Sequence, residues 1–405
     1  MKICVLGAGV IGVSTAYALG RLGHEVSVIE KAPDVAMGAS YANGAQLSYS
    51  YIDPLASPAT FYKLPRYLLG RDTALQLKPS LNPAYLRWGL SFLRNCSAAQ
   101  FQANRAARKS LSELSSDAMA LFEEELGKKF EPTGRGKLVL VQSQVDYNAL
   151  KSEKGFVDAQ SCLDIEPTLK TWSGPILGGI YSETDIALNT LTYCRVLKEL
   201  SQKKFGVQFH FNETASALSC GQTLVKGVQT NKQFHPADNI ILCLGNDTRS
   251  LLDPLGVSHP IYPVYGYSLT LNATSSSPRV SITDLKNKIV YANLGSHFRI
   301  AGFVDVNQKA ENINHRIDLL LKTARQTWPE AADFDGTIKR WHGARPMTPS
   351  GVPIIEETSQ KGLYVNIGHG SLGYTFAAGS AMKVANMIGH SKTNQRSKRG
   401  KDNAA

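Results

Sequence analysis

Residues 2–30 read KICVLGAGVIGVSTAYALGRLGHEVSVIE, and the fold is decided by how this stretch is read. Lys2 to Leu6 has the apolar character of a short buried strand, Gly7, Gly9 and Gly12 make a G-x-G-x-x-G turn, and Val13 to Leu22 follows with helical spacing. Gly7 permits the tight turn, Gly9 lets the backbone approach a pyrophosphate, and Gly12 lets helix and strand pack closely, so Ala8, Val10 and Ile11 are drawn into the same candidate contact surface. A helix that starts there offers free N–H groups to phosphate. The second strand, Glu25 to Ile29, ends in Glu30, 18 residues past Gly12 and followed by Lys31. That is near the separation of about 20 at which an acid accepts ribose hydroxyls. A carboxylate there repels a ribose 2′-phosphate, so the expected nucleotide is FAD or NAD and not NADP.

A second glycine turn lies near the C-terminus. Leu363 to Ile367 reads as a strand, and Gly368, His369, Gly370, Ser371, Leu372 and Gly373 precede a helix expected from about Tyr374 to Ile388. No Asp or Glu follows until Asp402, so this turn lacks a ribose acceptor. A glycine-lined helix N-terminus instead suits negative charge, such as that arising at the edge of a reduced flavin. Just upstream, Pro346, Pro349 and Pro353 stiffen the stretch that carries Arg345. A guanidinium held in this way is suited to bidentate recognition of a carboxylate.

The 405 residues (44.0 kDa, 43% hydrophobic, 19% charged) describe a globular chain and exclude disorder as its main state. The formal charge is +11, but five basic residues fall between Lys392 and Lys401, so residues 391–405 are expected to be a basic disordered tail. No interleaved basic and aromatic run suggests a nucleic-acid groove, and no nucleic-acid partner is expected. The six cysteines show no CxxC spacing, which predicts neither a metal site nor a disulfide framework and suits a reducing, cytoplasmic setting. With a strand expected directly after Met1, no signal peptide is expected, and the apolar stretches fall short of the about 18 residues of a spanning helix.

These motifs resemble the glycine oxidase, D-amino acid oxidase and D-amino acid dehydrogenase group of FAD-dependent oxidoreductases, and most of all the bacterial D-amino acid dehydrogenases. The resemblance is carried by residues 5–30, by SYANGAQLS (40–48), by FLRNC (92–96), by YPVYGYSLT (262–270), by GARPMTP (343–349) and by NIGHGSLGYT (366–375). It implies non-covalent FAD, an α-amino acid substrate, and Arg345 on the substrate carboxylate. It further implies cofactor contacts from Ser40, Asn43, Gly44, Ala45, Gln46, Leu47 and Gly245, and the turn from Gly368 through Tyr374 and Thr375 against the isoalloxazine. Tyr265 stands where relatives usually have Lys, and Ala45 where they usually have Gly. Loss of that lysine charge predicts neutral substrates, including D-proline-like imino acids.

The expected fold is α/β, a Rossmann-like FAD-binding domain built from discontinuous segments (1–45, 145–250 and 340–390). A substrate domain with a mixed or antiparallel sheet (46–144 and 251–339) is inserted between them. The expected reaction is oxidative deamination of a D-amino acid to a 2-oxo acid and ammonia by hydride transfer to flavin N5, with electrons passed to a quinone or other carrier. An oxidase using O2 and a non-catalytic flavin-binding subunit are the alternatives. Tyr51, Tyr265, Tyr267 and Tyr291 are candidate pocket groups beside Arg345, because a phenol can hydrogen-bond a carboxylate while its ring packs on apolar atoms. Residues 58–95 mix aromatics with Lys and Arg, which reads either as a peripheral membrane-surface contact on the inner face of the cytoplasmic membrane or as helices packed on the substrate domain.

Overall fold

A computed structural model describes residues 1–127, 132–222, 224–307 and 312–402, with side chains as far as 389. The strand Lys2–Leu6 lies inside a six-stranded sheet, flanked by Asn239–Leu242 on one side and Glu25–Ile29 on the other, all parallel. Leu363–Ile367 pairs parallel beyond Asn239–Leu242, Gln208–His210 pairs parallel beyond Glu25–Ile29, and Ile354–Glu357 closes the first edge antiparallel.

Alternation along these strands builds two cores, since successive side chains point to opposite faces. Ile3, Val5, Val26 and Val28 pack with the helices Val10–Arg21, Thr190–Phe205, Ala98–Leu126 and Gly373–Asp402. Cys4, Leu6, Ile29 and Ile240 face the other way, toward an antiparallel meander of Ala215–Cys220, Val225–Thr230 and Phe234–Pro236.

The second sheet is mixed. Its ten strands run from Lys339–Met347 through Tyr262–Asn272, His297–Val306, Ile289–Leu294, Ser281–Asp284, Gly134–Val141 and Gly178–Ala187 to Gln46–Leu47, with Leu75–Leu77 and Phe156–Asp158 attached at the sides. One face holds a core around Trp328, Tyr291, Phe298 and Ile300 under the helix Ile313–Thr327. A buried ion pair is set into it: Arg316 Nε and Nη2 donate to Asp305 Oδ2 and Oδ1 at 2.7 and 2.8 Å, and Tyr267 Oη–H donates to Asp305 Oδ2 at 2.8 Å.

Two segment boundaries move. Phe156–Asp158 and Gly178–Ala187 pair within the second sheet, so much of 145–188 leaves the nucleotide unit. Lys339–Met347 likewise pairs with Tyr262–Asn272, because the strand that carries Arg345 needs a ladder partner and finds it there. The last helix runs to Asp402 in its backbone, through most of the stretch expected as a disordered tail; side chains from 390 and residues 403–405 lie outside the described residues.

Candidate active site

A cavity of about 980 Å³ runs between the two sheets, with the glycine turns on one wall and the cavity face of the ten-stranded sheet on the other. Gly7 has φ +96° and its N–H donates to Ile29 O at 2.8 Å, which turns the chain into the helix N-capped by Gly9. Gly7, Gly9, Val10 and Ile11 line the cavity. Gly12 does not: a Cβ there would sit 1.8 Å from Gly7 O, so its part is in packing. Ala8 also stays behind the wall, fully buried.

Glu30 lines the cavity at the end of its strand. Its Oε2 accepts Ala8 N–H at 2.6 Å and its Oε1 accepts Ala32 N–H at 2.8 Å. A carboxylate has about four lone-pair positions, so about two remain for hydroxyls. Lys31 Nζ donates to Asp247 Oδ2 at 2.5 Å, and both residues line the same end as Gly245.

Sequence reading missed a cluster behind Glu30, where the ligand atoms of His210, Glu213 and His235 lie within 4.8 Å of one another, although no metal site was expected. His235 Nε2 and Glu213 Oε1 are 2.7 Å apart, and Thr230 Oγ1–H also donates to Glu213. Burial pushes the Glu213 carboxyl upward, but these hydrogen bonds outweigh it and hold the group below its usual range. His210 and Glu213 stand three residues apart, but His235 lies 22 residues beyond Glu213 on another strand, so no compact motif marks the set.

The stretch 40–48 forms one side of the cavity. Val10 N–H donates to Ser40 Oγ at 3.1 Å, and Asn43 Oδ1 accepts from Ala45 N–H and Thr190 Oγ1–H. Ser40, Asn43, Gly44, Ala45 and Gln46 all reach the cavity, whereas Leu47 points into the helical core. Ala45 has φ +54°, a left-handed conformation in which its Cβ costs about 1–2 kcal/mol relative to glycine.

Opposite, Gly368 (φ +79°) and Gly370 (φ +57°) turn the chain from Leu363–Ile367 into the last helix, and Gly368 through Tyr374 line the cavity. Thr375 lies behind, its Oγ1 accepting Ser48 N–H at 3.1 Å. Burial drives the His369 imidazole down to about 3, so the ring is neutral near pH 7 and brings no positive charge to the cavity.

The roof is set by strand alternation. Val290 faces the cavity while Tyr291 faces the core, against Trp172, Phe298 and Trp328. Tyr291 is therefore a packing residue and not a pocket group. Tyr265 also packs on that core and offers the site only its backbone oxygen, which removes the basis for reading substrate charge from it. Tyr267 and the half-exposed Tyr51 do line the cavity. Arg345 lies beneath Gly266, where a Cβ would come within 2.0 Å of Nη2. Its Nη1 donates to Phe303 O at 3.1 Å and Tyr265 O at 3.3 Å. Removal from water lowers the guanidinium pKa, against the opposing influence of Asp305 and Tyr267, yet the group stays cationic.

The wall also presents buried polar atoms without a partner among the described residues: Gln46 Nε2, Asn246 Oδ1, Thr283 Oγ1, Asn366 Oδ1, His369 Nε2 and Tyr374 Oη. Each belongs to a cavity-lining residue. Orphaned groups are costly when buried, and such a set along a cradle with two glycine turns fits a long, polar, flat-ringed nucleotide.

The class follows from the comparisons. Residues 2–387 match the FAD dependent oxidoreductase family, and the chain belongs to it; its cofactor is FAD. It is similar to D-amino acid dehydrogenase 2 of Ralstonia nicotianae, at 36% identity over 413 residues covering 96% of each chain. To D-amino acid dehydrogenase of Neisseria meningitidis it is 33% identical over 410 residues, covering 98% of each. The fold is shared with L-proline dehydrogenase from P. horikoshii (TM-score 0.71, 15% identity, 96% of this chain and 92% of that one). It is also shared with glycine oxidase from Bacillus cereus (TM-score 0.70, 18% identity, 96% and 95%).

Proposed function

We propose that the protein oxidises the α-amine of D-amino acids to the imine, which water converts to a 2-oxo acid and ammonia, and that the electrons leave to a quinone or another carrier. The similarity to D-amino acid dehydrogenases over nearly the whole chain supports the reaction. The observation that carries it is Arg345, a cation in the same cavity as both glycine turns, with Nη2 hydrogen-bonded to nothing among the described residues. FAD, when bound, supplies the hydride acceptor. Arg345 takes the α-carboxylate and fixes the orientation of the Cα–H bond. Tyr51 stands at the more open side and bounds the substrate laterally, while Tyr267, its hydroxyl spent on Asp305 in the buried ion pair, stiffens the wall beside Arg345. The backbone N–H groups at the start of the helix Gly373–Asp402 place positive potential on the cavity floor.

Replacing Arg345 by Ala should weaken substrate binding by about 2–5 kcal/mol, the loss found when one partner of a buried charge pair is removed. Unchanged apparent affinity in amino-acid-dependent flavin reduction would remove the assignment. Dye reduction without peroxide supports the carrier; stoichiometric peroxide would make O2 the acceptor.

No helix among the described residues is long and apolar enough to cross a membrane. Peripheral contact through residues 58–95 belongs to the same proposal. Tyr62 (82% exposed), Leu69 (66%) and Leu81 (90%) project there among Lys63, Arg66 and Arg71. Cosedimentation with anionic lipid vesicles tests this, and protein that stays in the supernatant at low salt contradicts it.

A further inference from the structure

The lining of the cavity divides by charge. Its carboxylates, Glu30, Glu213 and Asp247, gather at the nucleotide end, where Glu213 N–H donates to Glu30 O and Asp247 pairs with Lys31. Away from that end the charged lining groups are Arg345, Lys288 and Lys137, all cations and all carried on or beside the ten-stranded sheet.

Lys137 is the most unusual of them. It is 3% exposed, on the strand Gly134–Val141, where Leu138 and Leu140 point into the aromatic core and Lys137 takes the opposite, cavity face. Its neighbour across the ladder is Ser281, and Thr283 two residues on shares the cavity wall. Nζ donates to Ser48 Oγ at 2.6 Å and lies 5.2 Å from the centroid of the Tyr51 ring.

The nearest carboxylate with electrostatic influence, Asp185, sits on the far side of Ser48. It already accepts from Ser48 Oγ–H, Ser50 Oγ–H, Ser182 Oγ–H and Tyr49 N–H. Burial pulls the Lys137 ammonium down to about 8, with Asp185 opposing. A buried ammonium whose remaining donors face a cavity is unfavourable unless an anion enters. Lys288 adds a second, weaker cation, since its Nζ lies 3.9 Å from Asp72.

We propose that Lys137, supported by Lys288, is a second carboxylate-binding point in the cavity that holds Arg345, and that the substrate is an acidic D-amino acid, with Arg345 on its α-carboxylate and Lys137 on its side-chain carboxylate. This rests on the D-amino acid oxidation proposed above and names its substrate class. It reverses the neutral preference expected from Tyr265, whose side chain is turned away from the cavity.

The test is anaerobic reduction of the FAD of the holoenzyme by D-glutamate and D-aspartate against their amides, D-glutamine and D-asparagine, and against D-alanine, at pH 7. The expected acid-to-amide ratio in kcat/KM is at least about tenfold, and Lys137→Met lowers that ratio by at least about tenfold, each tenfold corresponding to about 1.4 kcal/mol. In the wild-type holoenzyme, glutarate should perturb the flavin absorbance at a concentration at least about tenfold lower than butyrate does, a readout that holds even if Lys137→Met fails to fold. Amides or alanine reacting as well as the acids, or glutarate no better than butyrate, would overturn the substrate class while leaving D-amino acid oxidation in place. An acid-to-amide ratio unchanged in Lys137→Met overturns the role of that lysine. Failure of every D-amino acid to reduce the flavin overturns the underlying reaction instead.

Discussion

Gly9 and Gly12 stand three residues apart in one turn and answer to different constraints. A Cβ on Gly9 would meet only Ser40 Oγ, at 3.5 Å, whereas one on Gly12 would collide with Gly7 O at 1.8 Å. Gly9→Val should therefore give a folded protein, by far-UV circular dichroism, that purifies nearly colourless. Gly12→Val should lose the fold itself. Full FAD content in Gly9→Val would contradict the site.

Lys137 supplies a pH test. Its folded pKa, about 8, lies below the ordinary lysine value of 10.5. Between those two values the unfolded chain holds the proton and the folded chain does not, so stability rises with pH across that window, and below about 8 the burial penalty acts in full. Lys137→Met should thus stabilise the protein at pH 7, on the order of 1–3 kcal/mol, with the gain shrinking as the pH of thermal melts approaches 10.5. A gain independent of pH would show that the lysine is not depressed. The glycine turns and Arg345 were readable in sequence because each lies in a local motif. Lys137 was not, because the face of its strand is set by register, and its Ser48 partner lies 89 residues away.

Among the elements, the last helix depends on one close approach. Gly379 N–H donates to Ser115 Oγ at 3.0 Å, and Ser115 Oγ–H donates back to Thr375 O at 2.5 Å. A Cβ on Gly379 would lie 2.7 Å from Ser115 N and 2.8 Å from its Cα. Helix propensity alone favours Ala over Gly by about 1 kcal/mol, but overpacking against backbone costs about 1–3 kcal/mol. Gly379→Ala should therefore lower the melting temperature and loosen FAD, and a rise in melting temperature would show that the helices can separate freely. The first strand, turn, helix and strand were legible because periodicity and glycine spacing are local signals. The membership of Gly178–Ala187 and Lys339–Met347 was not, since alternation marks a strand without saying which sheet it joins. The meander from Ala215 to Pro236 escaped notice because its first strand, ASALSC, has none of the β-branched or aromatic residues that mark strands. Phase could have separated Val290 from Tyr291, as the two point to opposite faces of one strand.

At the scale of the whole molecule, two sheets close on one long cavity with acidic groups at the nucleotide end and cations at the other, a distribution that draws an anionic substrate past the ring-binding turns. The α/β class and the inserted mixed sheet were visible in the chain because the motifs that define them are spread over nearly its whole length. The central claim is that this cavity brings a D-amino acid to bound FAD, and the most direct measurement is anaerobic bleaching of the flavin absorbance of the purified holoenzyme by matched D- and L-amino acids. The account predicts rapid bleaching by D-enantiomers, much slower reaction with their L-counterparts, and loss of the response at the same substrate concentrations in Arg345→Ala. Bleaching by L-enantiomers alone, or none by any amino acid while dithionite still reduces the flavin, would contradict it.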